Sequence, residues 1–145
     1  MHAKFVLSLV VAVVASVSAA EVRVEILKSN PEGPKVTKAK KYASMVTLYI
    51  EAADGTLTPS GWSTRAEEGG NGQPFSFQPG KGLIAGWTEG VLKMREGERA
   101  KLHVPSSLGY GSQKMGSKGS AWFIPANSDL LFDIEILEDN KSELC

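Results

Sequence analysis

Cysteine is almost absent. The 145-residue chain holds one, Cys145, at its last position. No internal disulfide can form, so packing alone must hold the fold even in an oxidising compartment, and a terminal thiol reads as a frayed, inert end. Histidine is nearly as scarce: His103 is the only one beyond the extreme N-terminus. A Ser-His-Asp arrangement would have to use His103, which lies between Leu102 and Val104 on a strand beside Lys101, and a zinc site needs three or four Cys, His or carboxylate ligands. Charge of one sign is lacking too, with 16 basic against 16 acidic side chains. That balance gives no field for nucleic acid or anionic lipid. Nor is there a membrane-length apolar run. Phe5 to Val17 is apolar apart from Ser8 and Ser16, short of the roughly 18 residues or more that a span requires.

That run follows Lys4 and precedes Ser18-Ala19-Ala20, the pattern of a secretory leader with small residues at its cleavage point. Residues 1–20 are therefore expected to be a cleaved signal peptide, leaving no membrane attachment. Residues 21–139 form the expected single domain, and 140–145 a tail. Asn140-Lys141-Ser142 fits a glycosylation sequon. Lys141-Ser142-Glu143-Leu144 resembles an endoplasmic-reticulum retention tetrapeptide, but Cys145 follows it, and that address is read at a free C-terminus. The endoplasmic reticulum lumen and secretion both remain open destinations.

Strand patterns recur through the domain. Val22, Val24 and Ile26 alternate in EVRVEI, MVTLYI (45–50) is β-branched and aromatic, and PFSF carries Phe75 and Phe77. RAKLHV (99–104) sets Ala100, Leu102 and Val104 on one face, and DLLFDIEIL sets Leu130, Phe132, Ile134 and Ile136 on another. By that alternation His103 points away from the core as a solvated residue. Residues 58–74 are rich in Gly, Pro and Ser and read as a long irregular connection; GYGSQKMGSKGS reads as a loop. Its glycines resemble a phosphate loop only in spacing, because Lys and Ser stand in the wrong order. Glu67-Glu68 sits in polar surroundings, with nothing to raise a carboxyl pKa.

One helical segment remains, GLIAGWTEGVLKMREGE (82–98), with Leu83, Trp87, Val91 and Met94 at helical spacing. It spends its largest side chain beside Gly86 and Gly90, although each interior glycine costs about 0.5–1 kcal/mol relative to alanine. Five strands and one helix without a βαβ rhythm predict an α+β fold, a five-stranded antiparallel sheet wrapped around one short helix. Leu102, Phe132 and Ile134 are expected to pack on Val91 and Met94. Each fully buried side chain there contributes roughly 1.5–3 kcal/mol.

GLIAGWTEGVLKMREGERAKLHVPSSLGYG and, further on, IPANSDLLFDIEIL closely resemble the FKBP family, the macrolide-binding peptidyl-prolyl cis–trans isomerases. The match is strong from Phe75 to Leu137, and weaker over residues 21–74, where Tyr49 and Asp54-Gly55 carry it. The resemblance implies the same sheet-around-helix fold, proline-containing polypeptides as partners, no cofactor and a monomer. It implies catalytic positions at Tyr49, Ile84, Trp87, Tyr110 and Phe132, with Trp87 as the floor of a prolyl pocket. The Ile84 N–H and Tyr110 hydroxyl would bind ligand carbonyls, and Gly86 would permit close approach of backbone and ligand. Phe75, Leu83, Phe123, Ile124 and Leu57 are the further substrate-binding positions.

One departure stands out. After its Asp-Gly turn the family carries Phe-Asp-Ser-Ser, both of whose first residues belong to the pocket; here Asp54-Gly55 leads to TLTPSG. The expectation is therefore weakened macrolide binding, an Arg65 without its carboxylate partner, and reduced turnover. A module that only binds proline-containing segments is the alternative. The loop from Tyr110 to Ile124 is also longer than the family's and carries Trp122.

Overall fold

The structure, a computed structural model, describes residues 20–139. The expected leader (apart from Ala20), the tail, the sequon and Cys145 lie outside the described residues. Among those described, no helix is long and apolar enough to cross a membrane.

In chain order the elements are β1 (Arg23–Lys28), β2 (Tyr42–Glu51), β3 (Leu57–Ser63), β4 (Phe75–Phe77), α1 (Ala85–Val91), β5 (Arg99–Val104), β6 (Met115–Gly116), β7 (Phe123–Ile124) and β8 (Asp129–Ile136). The main sheet is antiparallel in the order β1-β5-β8-β2-β3, and β4 also pairs with β2. The ten-residue β2 makes this possible. One of its edges pairs with β8 along its length; the other takes β4 opposite Tyr42–Ser44 and β3 opposite Thr47–Glu51.

The expected architecture holds, with a six-stranded main sheet in place of five. The extra strand is β3, inside the stretch read as irregular. Pro59 lacks an N–H, and Gly61 sits at φ +95°; both suit the outer, bulged strand of a sheet, which β3 is. The Gly/Ser/Lys loop likewise contains the two-residue strands β6 and β7.

Helix α1 packs across β5, and its glycines are there for that contact. A Cβ on Gly86 would overlap Val104 Cγ1, and one on Gly90 would stand 2.8 Å from Leu102 Cδ1. The close approach is thus to the sheet. Val91, Met94, Leu102 and Ile134 are fully excluded from solvent and Phe132 nearly so, making the expected core. The alternation in β1 fares less well. Val22, just before the strand, is buried and Val24 half-buried, but Ile26 is exposed at the end of this edge strand, where the pairing with β5 becomes irregular.

His103 is not solvated. Its Nδ1 lies 2.8 Å from Glu51 Oε1 and its Nε2 3.1 Å from Glu25 Oε1. The outer sheet face is crowded with carboxylates there, so outward direction does not mean exposure.

Candidate active site

A cavity of about 420 Å3 opens between α1 and the sheet, lined by Leu48, Trp62, Phe75, Gly82, Leu83, Ile84, Trp87, Tyr110, Trp122, Ile124 and Phe132. That is within the usual size range of small-ligand pockets. Trp87 is its floor. The indole is buried and meets Phe132 at 5.0 Å, Phe75 and Phe77 at 5.5 Å and Trp62 at 6.4 Å between ring centroids. The interplanar angles run from 56° to 68°, the tilted and edge-on arrangements that ring quadrupoles favour.

Seven of the sequence-derived positions meet here: Ile84, Trp87, Tyr110, Phe132, Phe75, Leu83 and Ile124. Three do not. Tyr49 lies on the opposite face of β2, since Leu48 stands across from Phe132 and Tyr49 across from Leu131. Burial and the nearby Glu68 carboxylate raise the Tyr49 phenol above its ordinary pKa. Phe123 points the other way from Ile124 by the same alternation, and its place is taken by Trp122. Leu57 pairs with Glu51 at the far end of β2. The apolar wall is supplied instead by Trp62, close to the Thr47–Ser63 pair and packed edge-on against Phe75 at 5.6 Å. Leu48, Trp62, Gly82 and Trp122 were the residues missed. Period-two parity would have found Leu48, and the run Trp62-Ser63-Thr64-Arg65 is an aromatic-then-polar sequence displaced along the chain.

Ile84 and Tyr110, the two positions where the resemblance places donors to ligand carbonyls, both line this cavity. Ile84 is the N-cap of α1, where helix geometry leaves the first N–H groups without intrahelical acceptors. Tyr110 also lines the cavity, and desolvation pushes its phenol pKa up. Its hydroxyl therefore stays a proton donor.

Behind the wall Arg65 is buried and partnered. It donates to the Asp133 carbonyl at 2.8 Å, Thr47 Oγ1 at 3.0 Å and the Met45 carbonyl at 3.2 Å, with Asp133 Oδ1 at 3.5 Å. Thr47 and Asp133 adjoin Leu48 and Phe132, so the guanidinium braces the two strands that form the cavity wall. Arg99 grips the same Asp133 carboxylate through two bonds of 2.8 and 2.9 Å.

Residues 35–137 match the family model described as FKBP-type peptidyl-prolyl cis-trans isomerase. The chain belongs to the FKBP family. As its class this FKBP is a peptidyl-prolyl isomerase. It is 35% identical over 123 residues to "FK506-binding protein 2" of Debaryomyces hansenii, covering 83% of this chain and 81% of that protein. Identity to "Peptidyl-prolyl cis-trans isomerase FKBP12" of Arabidopsis thaliana is 46% over 106 residues, 72% of this chain and 87% of that one. "FK506-binding protein 2" of Dictyostelium discoideum is 50% identical over 70 residues, 48% of this FKBP and about half, 49%, of the relative. Among solved structures, "Crystal structure of AtFKBP13" superposes with a TM-score of 0.63 at 26% identity, over 81% of this chain and 92% of that chain.

Proposed function

We propose that this FKBP accelerates rotation about X–Pro bonds of secretory-pathway polypeptides in the Trp87 cavity. The observation that carries the reading is an apolar, aromatic cavity floored by Trp87, with Ile84 and Tyr110 among its lining residues and no carboxylate or histidine. Rotation needs neither acid nor nucleophile. Its barrier of about 18–20 kcal/mol comes from amide resonance, and the planar imide is the more charge-separated form. An apolar site therefore penalises the planar form relative to the twisted one. Binding the twisted form better than either planar form is sufficient, and a thousandfold acceleration requires about 4 kcal/mol.

In this reading the prolyl ring rests on Trp87 between Phe75 and Phe132, while the Ile84 N–H and Tyr110 hydroxyl hold carbonyls on either side of the bond. The protein acts as a monomer on its client, after removal of the leader. Relatives are named for binding FK506; this cavity takes such a macrolide with reduced affinity, because Trp62 supplies an aromatic wall but no carboxylate is among the lining residues.

Exchange NMR on an X–Pro peptide tests the reading. The protein is expected to accelerate cis–trans exchange, and Tyr110→Phe and Trp87→Leu to reduce that acceleration. Folded protein that binds the peptide without accelerating exchange would leave a proline-binding module instead.

A further inference from the structure

The connection between β3 and β4 builds a second cavity. It measures about 450 Å3, and Trp62 and Phe75, which also line the Trp87 cavity, line it together with Thr64, Gly70, Asn71 and Gln73. No charged side chain lines it, although Arg65, Glu67 and Glu68 belong to the same connection. Arg65 donates instead to the Met45 and Asp133 carbonyls, and the Glu68 carboxylate lies near Tyr49. The backbone around the cavity is held in place. The Gly70 N–H donates to the Arg65 carbonyl at 2.8 Å and the Gly72 N–H to the Thr64 carbonyl at 2.9 Å. A Cβ on Gly70 would overlap the Ser63 carbonyl oxygen. The Gln73 N–H donates to Asn71 Oδ1 at 3.0 Å, which leaves the Asn71 Nδ2 donors unspent. The Gln73 side-chain amide makes no hydrogen bond among the described residues.

The lining therefore combines a half-buried indole and phenyl ring with two primary amides and no charge. A charged ligand would lose hydration here with no counter-charge to replace it. A wholly apolar ligand would cover the amides without bonding them. A ligand that is apolar on one face and hydroxylated at its edge meets both conditions. The C–H groups on one face of a pyranose suit the negative face of an aromatic ring, and its hydroxyls both donate and accept, as primary amides do. We infer that the cavity lined by Trp62, Asn71 and Gln73 binds a neutral saccharide ring. The site stands without the isomerase reading. Together with it, a glycan on a secreted client is held next to the prolyl cavity, since Trp62 and Phe75 line both. Ordering of the connection before binding spares the cost of immobilising it.

The test is a proton–nitrogen correlation NMR titration of the protein with methyl α-mannopyranoside and with N-acetylglucosamine, and with the open-chain polyol sorbitol as control. At least one pyranose is expected to give saturable shifts of the Trp62 indole N–H and of the Asn71 and Gln73 side-chain amides, with a dissociation constant of about 1–10 mM for a ligand of that size. Sorbitol, which has hydroxyls without the flat apolar face, should give none. Gln73→Ala, at an exposed position, should weaken saccharide binding about two- to tenfold, the factor of one hydrogen bond, and leave the acceleration of X–Pro exchange unchanged. No saturable shift with either sugar, an equal response to sorbitol, shifts confined to Trp87 and Tyr110, or binding unaffected by Gln73→Ala overturns the saccharide site. Saturation of the same amides by an X–Pro peptide and by neither sugar also overturns it, in favour of a polypeptide subsite. Peptide exchange rates read in the same samples decide the isomerase reading separately, so either can fail without the other.

Discussion

Removing the Arg65 side chain should weaken the sheet behind the cavity wall. The guanidinium is buried and satisfies the carbonyls of Met45 and Asp133 and the hydroxyl of Thr47, from three positions on β2 and β8. Arg65→Ala leaves these acceptors without that donor in a space water reaches poorly, and each stranded group costs about 1–3 kcal/mol. The Asp133 charge is not orphaned, because Arg99 still holds both of its oxygens. The total should therefore sit near the lower end of the about 3–5 kcal/mol typical of breaking a buried pair. Arg65→Lys keeps the charge but offers one point donor in place of a planar fork, so an intermediate loss of about 1–2 kcal/mol is expected on that ground. Urea unfolding followed by tryptophan fluorescence reads both values as a shift of midpoint at constant slope. A loss below about 1 kcal/mol for Arg65→Ala would refute the claim that this residue braces the cavity wall.

Gly86→Ala should destabilise by about 1–3 kcal/mol despite alanine's better helix propensity, since the new methyl overlaps Val104 Cγ1 and stands 3.1 Å from the Leu108 carbonyl oxygen; a raised melting temperature would contradict the close packing of α1 on β5. Tyr110 has its phenol pKa raised by desolvation, so its hydroxyl persists where an unperturbed tyrosine has lost about half its protons, near pH 10. The exchange rate should stay level through that pH, and a fall centred there would show a solvated phenol. The hydrogen bond with His103 holds the exposed Glu25 carboxyl below the usual carboxylate range. A depressed carboxyl stabilises the fold above its unfolded pKa and loses that effect as pH falls through its folded one. Glu25→Gln should thus flatten the acid limb of a stability-against-pH curve below about pH 5, and an unchanged limb would remove Glu25 from the account.

The parts legible in the sequence were those where one periodicity decides the matter. Trp87, Phe132, Ile84 and Tyr110 sit in a run whose order and spacing are continuous, and all four reach the cavity. Tyr49 failed by one residue: on a strand a shift of one exchanges faces, so Leu48 took the wall. Trp62 was hidden because Pro59 and Gly61 argue against a strand unless it is known to lie at an edge, and edge position is a property of the sheet rather than of the segment. The partners of Arg65 and His103 were invisible for a similar reason. Asp133 and Glu51 lie on other strands, and only register brings them within reach. The glycines of α1 posed a question that local sequence could not answer, since the side chains they accommodate, Val104 and Leu102, come from β5.

The most direct test of the account is an isotope-filtered NOE experiment on the protein with a labelled X–Pro peptide. Contacts from the prolyl ring protons to the Trp87 indole, Ile84 and Tyr110 are the predicted result. Prolyl contacts confined to other exposed apolar side chains, Ile26 and Leu27 on β1, would contradict it.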